Sequence, residues 1–115
     1  MTQNNIVPSR VFNSDQTKAS LYYTIGKSDK KGVLFSAHTD TVPADKSDWS
    51  CDPYKLKIKN KRYYGRGTTD MKGFISIILA LTPWVNNQRF KNPVHVALSY
   101  DEEVFTKWVN STDQN

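Results

Sequence analysis

Apolar and polar residues alternate along two stretches of this chain, run together in a third and recur at helical spacing in a fourth. Tyr, Thr and Leu dominate Ala19–Ile25 before Gly26, which predicts a strand. Val94, Val96 and Leu98 alternate with His95, Ala97 and Ser99, which predicts a second strand. Val33, Leu34, Phe35 and Ala37 form a short apolar run that predicts a buried strand leading straight into His38. In residues 54–58 and 62–64 Lys and Arg alternate with Tyr, Leu and Ile, which predicts a hairpin around Asn60–Lys61 with one wet face. Apolar residues at 71, 74, 75, 78, 79 and 81 predict a largely buried helix. Asp70 is its expected N-cap, and Pro83 is expected to end or kink it. Residues 27–32, 41–53 and 86–92 read as polar connections.

The order strand, strand, hairpin, helix, strand is an α/β arrangement. His38 and Asp40 follow one strand, Asp101, Glu102 and Glu103 follow another, and Asp70 opens the helix. In open α/β sheets such ends converge on one crevice. A neutral imidazole is a good zinc ligand, and a carboxylate two residues on in extended chain points to the same side and can orient it. A carboxylate at Asp70 is either a helix cap or a bridge between two cations, since it has two oxygens. Three adjacent acids at 101–103 repel one another unless solvated or neutralised by metal. Beside a metal, one acid can ligate while its neighbour takes a proton from water. His95 sits within a strand and reads as a satisfied strand histidine, not a ligand.

Composition changes this picture little. At 115 residues the chain is at most one domain, and 37% hydrophobic with 23% charged residues is ordinary for a globular protein. The net charge of +5 raises the option of nucleic-acid binding, but much of it alternates with apolar residues at 55–62 and no groove-reading motif accompanies it. The expectation is no nucleic-acid partner. The longest apolar stretch, 74–85, is broken by Ser76, Thr82 and Pro83, so no membrane partner is expected either. A single cysteine, Cys51, allows no internal disulfide, and a reducing cytoplasm is the expected compartment.

Four segments in order resemble the M20 family of zinc metallopeptidases and deacylases: SAHTDTVP at 36–43, WSCDP at 49–53, YGRGTTDMKG at 64–73 and LSYDEE at 98–103. The resemblance runs over residues 19–104 and is nearest to the family's acetylornithine deacetylase branch, through 49–53 and 98–104. It implies an α/β fold: an incomplete catalytic domain of a zinc-dependent exopeptidase-like fold, with a mixed sheet and a flanking helix. By the same resemblance His38 ligates one zinc, Asp40 orients it, Asp70 bridges two metals, Glu102 is the general base and Glu103 ligates the second zinc. The implied cofactor is Zn2+, two per complete site, with Co2+ accepted by the same donors.

The implied substrate is a small N-acyl amino acid, N-acetyl-L-ornithine, hydrolysed to ornithine and acetate in arginine biosynthesis. A related deacylase such as a succinyl-diaminopimelate desuccinylase is the alternative activity, and a non-catalytic remnant with weak metal binding is the alternative to any activity. The family also carries a further acidic ligand, a late histidine and an inserted domain through which it forms homodimers. Those features are absent from this sequence, so the expectation is a truncated chain, inactive alone. The expected layout is a polar N-terminal segment at 1–18, a partial catalytic domain at 19–104 and a polar tail outside the family pattern at 105–115.

Overall fold

The computed structural model describes residues 6–27 and 29–104; the tail expected at 105–115 lies outside the described residues. Six strands and one long helix follow in the order β1 (Ser9–Phe12), β2 (Ala19–Ile25), β3 (Val33–His38), β4 (Lys57–Lys59), β5 (Arg62–Tyr64), α1 (Gly73–Asn86) and β6 (Val94–Ser99). Four strands make one sheet in the order β1-β2-β6-β3, while β4 and β5 pair as a separate hairpin. β1 and β6 both run antiparallel to β2, and β3 runs parallel to β6, so the sheet is mixed. A parallel pair needs a crossover, and the hairpin and α1 lie within it. The α/β fold with a mixed sheet and flanking helix is therefore what forms. β1, in a stretch that carries no clear alternation, is an addition to the expected elements.

The core sits where α1 lies across β2 and β6. Tyr23, Ile25, Val96, Leu98, Ala37 and Ile78 are its buried residues, with Ile6 beside them. β6 is bonded on both edges, and its alternation puts Val96 and Leu98 against the helix. One polar pair crosses this interface. The Thr82 hydroxyl donates to the Ile78 carbonyl at 2.8 Å, leaving its oxygen to accept from the Tyr23 hydroxyl, also at 2.8 Å. A buried phenol is thereby satisfied.

Several expectations are corrected. β3 is an edge strand, and Val33, Leu34 and Phe35 are exposed rather than buried, Leu34 by 57%. α1 is apolar almost all round, but a single sheet face covers only one stripe of it. Its buried residues are Ile78 and Thr82, while Ile77, for example, is 59% exposed. Of the two effects expected of Pro83, ending the helix does not occur, since α1 continues to Asn86. The proline lies one turn from the end on the exposed side, so it gives up only the bond to the Leu79 carbonyl. The hairpin forms, with Asn60 and Lys61 both at positive φ as a tight two-residue turn requires. Both of its faces are exposed, however, including Ile58. Among the described residues no helix is long and apolar enough to cross a membrane.

Candidate metal centre

β3 and β6 run side by side, so both deliver their carboxyl ends to the same edge of the sheet. The pairing continues one step past β3, where the Thr39 amide and hydroxyl both donate to the Ser99 carbonyl, at 2.9 and 3.0 Å. This register fixes His38 and Asp40 beside the turn that carries Asp101, Glu102 and Glu103. Asp40 ties the two chain ends together. Its Oδ1 accepts from the Glu102 amide at 3.2 Å and its Oδ2 from the Glu103 amide at 3.0 Å.

The third arm arrives through the loop before α1. Gly67 adopts φ +80°, and a Cβ there would lie 2.6 Å from the Thr41 methyl, so this turn requires glycine. A wide turn at Thr68–Lys72 follows, closed by the Lys72 amide on the Gly67 carbonyl at 2.8 Å. Within it Asp70 is extended (φ −115°, ψ 99°), and the Asp70–Met71 peptide is cis. The helix starts three residues later, against Gly73, where a Cβ would meet the Thr68 carbonyl at 2.4 Å. Asp70 is therefore not the N-cap. Its carboxylate turns instead toward β3, with Oδ1 3.1 Å from His38 Nε2. The two residues after it fasten the loop to the strand end. The His38 amide donates to Met71 Sδ at 3.3 Å, and Lys72 Nζ donates to the Thr39 carbonyl at 2.6 Å.

His38 is buried, and its ring faces acids on both sides. Nδ1 lies 3.1 Å from the Asp40 carbonyl oxygen and 3.5 Å from Asp40 Oδ1. Nε2 lies 3.1 Å from Asp70 Oδ1 and 3.8 Å from Glu102 Oε2. Burial disfavours the charged ring. The Asp40 carbonyl and the carboxylates of Asp70, Glu102 and Asp40 outweigh burial, and the His38 pKa lies above the usual imidazole value. Burial likewise works to raise the pKa of Asp40. The amides of Glu103, Asp40 and Glu102, with the His38 charge, overcome it and hold Asp40 below the usual carboxylate value.

These contacts test whether the residues suit a metal ion. A carbonyl oxygen only accepts, so the proton of a neutral ring belongs on Nδ1, leaving Nε2 as a lone pair. That lone pair faces Asp70 Oδ1, also an acceptor. Two acceptors this close call for a cation, either a second ring proton or a metal. Ligand atoms of His38, Asp70 and Glu103 all lie within 4.8 Å of one another. One imidazole nitrogen and two carboxylate oxygens are donors suited to zinc with a position left open. The residues fit such an ion.

Of the residues singled out in the sequence, His38, Asp40, Asp70, Glu102 and Glu103 gather at this one edge. Asp101 pairs instead with Lys18. His95 lies elsewhere, its Nδ1 2.8 Å from the Tyr22 hydroxyl and 2.9 Å from Thr24 Oγ1, a satisfied strand histidine as expected. Cys51 is a free, partly buried thiol. The sequence marks Met71 as a helix residue and Lys72 as part of the 64–73 segment, not as fastenings of the loop. Their adjacency to Asp70 was the available signal, but which way the loop turned was not readable.

Scaffold and cluster together define an α/β protein with a candidate metal centre at the carboxyl ends of parallel strands. The chain belongs to peptidase family M20/M25/M40, whose family model matches residues 34–111. An acetylornithine deacetylase of Buchnera aphidicola subsp. Schizaphis graminum (strain Sg) is 46% identical over 74 residues, 64% of this chain and 19% of that protein. An acetylornithine deacetylase of Pasteurella multocida (strain Pm70) is 38% identical over 86 residues, 75% of this chain and 22% of that protein. Human carnosine dipeptidase 1 superposes with a TM-score of 0.71 at 27% identity, over 90% of this chain and 24% of that one. An M20 family metallo-carboxypeptidase from Sulfolobus solfataricus has the same fold, with a TM-score of 0.70 at 24% identity, over 87% of this chain and 23% of that one. The chain thus spans between 19% and 24% of the length of these relatives.

Proposed function

We propose that this chain carries the metal-binding edge of an N-acyl-amino-acid amidohydrolase acting on N-acetyl-L-ornithine, to give ornithine and acetate in arginine biosynthesis. The observation that carries this reading is the approach of His38, Asp70 and Glu103 to within 4.8 Å. Similarity to acetylornithine deacetylases supports the substrate, and a cytoplasmic setting accords with a lone free cysteine.

His38 would hold one ion, Glu103 would hold a second, and Asp70 would serve both. Two zinc ions, or cobalt in their place, would supply Lewis acidity there and would acidify water. Asp40 keeps the His38 ring oriented through the Nδ1 side and anchors the amides that present Glu102 and Glu103. Glu102 is the general base. Its carboxylate lies over the same imidazole edge and is exposed to incoming water. It takes the proton of the attacking water and returns it to the leaving amine.

A second reading concerns the 115-residue chain by itself: it binds metal without turnover. Its support is the exposure of the working carboxylates, 74% for Asp70 and 56% for Glu102. Water at that edge weakens the electrostatics that hydrolysis needs.

One experiment addresses both readings. Zinc content of the purified chain is measured by mass spectrometry, and ornithine release from N-acetyl-L-ornithine is followed with and without a chelator. Bound zinc with chelator-sensitive release supports the amidohydrolase in this chain. Bound zinc without release supports the second reading. No zinc binding contradicts both.

A further inference from the structure

We propose that Lys18, far from the site in sequence, is a positioning residue that aims Glu102 and Glu103 by pinning the left-handed turn at Asp101; the inference rests on the proposed metal-centre reading. Asp101 stands between the end of β6 and the two acids, with φ +57°. Few residues other than glycine accept that conformation, although Asp and Asn do so more readily than most. The turn sends the chain across the end of β3. As a result the Glu102 and Glu103 amides meet the two oxygens of Asp40, and Glu102 Oε2 comes within 3.8 Å of His38 Nε2. Were Asp101 to relax to negative φ, those amides would leave Asp40 and the two carboxylates would swing with them.

The sheet itself supplies the pin. β2 and β6 pair as Leu21 with Leu98, Tyr22 with Ala97 and Tyr23 with Val96. The same antiparallel count carried three steps beyond Leu21 and Leu98 sets Lys18 opposite Asp101. There Lys18 Nζ and Asp101 Oδ2 form an ion pair, with side chains 49% and 34% exposed. The lysine is well placed to hold. Its carbonyl accepts from the Asn13 amide at 3.0 Å, and its own amide donates to Asn13 Oδ1 at 2.9 Å. Asp15 closes the same turn by accepting from the Thr17 amide and hydroxyl, at 3.1 and 2.7 Å. A rigid β1–β2 turn thus presents an ammonium to the one residue whose backbone sets the direction of the acidic arm.

The test compares Lys18→Met, which keeps the stem and removes the charge, with Lys18→Arg, which keeps the charge. Amide hydrogen exchange is measured residue by residue in the zinc-free 115-residue chain, and zinc affinity by competition with a chromophoric chelator. For an exposed ion pair the expected change in Lys18→Met is roughly two- to fivefold. Exchange at Glu102 and Glu103 accelerates by that factor while Tyr23 and Val96 are unchanged, zinc binding weakens similarly, and Lys18→Arg restores both. The proposal is overturned if Glu102 and Glu103 exchange as in the parent chain. It is equally overturned if the core amides accelerate alongside them, or if Lys18→Arg behaves like Lys18→Met. Should the parent chain bind no zinc, the metal-centre reading fails by itself, and the exchange rates still decide whether Lys18 sets the turn.

Discussion

The strand-borne and loop-borne sides of the candidate metal centre are built differently. His38 and Asp40 continue a strand, share the sheet's register and are laced to the Glu102–Glu103 turn by two backbone amides. Asp70 rides on a glycine-edged loop, 74% exposed, and meets the cluster through one contact at 3.1 Å to a buried ring. One side is part of the fold. The other is added to it, held by Lys72 on the Thr39 carbonyl and by Met71 on the His38 amide. The lesson is that a ligand's worth to the empty protein and its worth to the metal are separate quantities. Asp40 serves the fold first, and on the proposed reading Asp70 serves the ion first.

Substitutions can break or sharpen that contrast. Asp40→Ala removes the acceptor of two amides and is expected to destabilise the zinc-free chain by about 1–3 kcal/mol in urea unfolding. It should also weaken zinc by roughly 10–100-fold, as loss of an outer-shell partner does. Tyr23→Phe, in the core and remote from the metal, should cost about 0.5–1.5 kcal/mol through the lost bond to Thr82, with zinc affinity unchanged. Asp70→Ala should change zinc-free stability by less than about 0.5 kcal/mol, as exposed substitutions do. It should nonetheless cost more zinc affinity than Asp40→Ala, because a direct ligand is gone. Equal stability losses in Asp70→Ala and Asp40→Ala would erase the contrast.

A finer test is pH. The Asp40 pKa is lower folded than unfolded, so its contribution is full above the ordinary aspartate value and fades as pH falls through the lowered one. Parent chain and Asp40→Asn should therefore differ in stability at neutral pH and converge in acid. A gap that persists unchanged in acid would mean that the carboxylate charge is not its source.

Much of this was legible in the sequence because it lay in periodicity. The alternation in β2 and β6 and the run into His38 placed the sheet, and acids at strand ends pointed to one edge. What escaped was what one chain cannot say about its neighbours. The run Val33–Leu34–Phe35 reads as buried whether it lies at the centre or at the edge of a sheet, and here it lies at the edge. Likewise, α1 has more apolar surface than one sheet face can cover. Asp70 reads both as a helix cap and as a bridge between cations, and it is the cap reading that fails. The loop geometry that turns it to His38 depends on Gly67 and on contacts with Thr39 and Thr41, which are distant in sequence. The Lys18–Asp101 pair emerges only once the register of β2 on β6 is known.

The central claim is that His38, Asp70 and Glu103 share divalent metal through the Nε2 edge of His38. The chain has two histidines, so heteronuclear NMR of the imidazole nitrogens during zinc titration carries its own control. The account predicts that His38 Nε2 shifts to a metal-bound position, Nδ1 keeps its proton on Asp40, and His95 is unmoved. Zinc that leaves the His38 nitrogens unchanged, or that moves His95 instead, would contradict it.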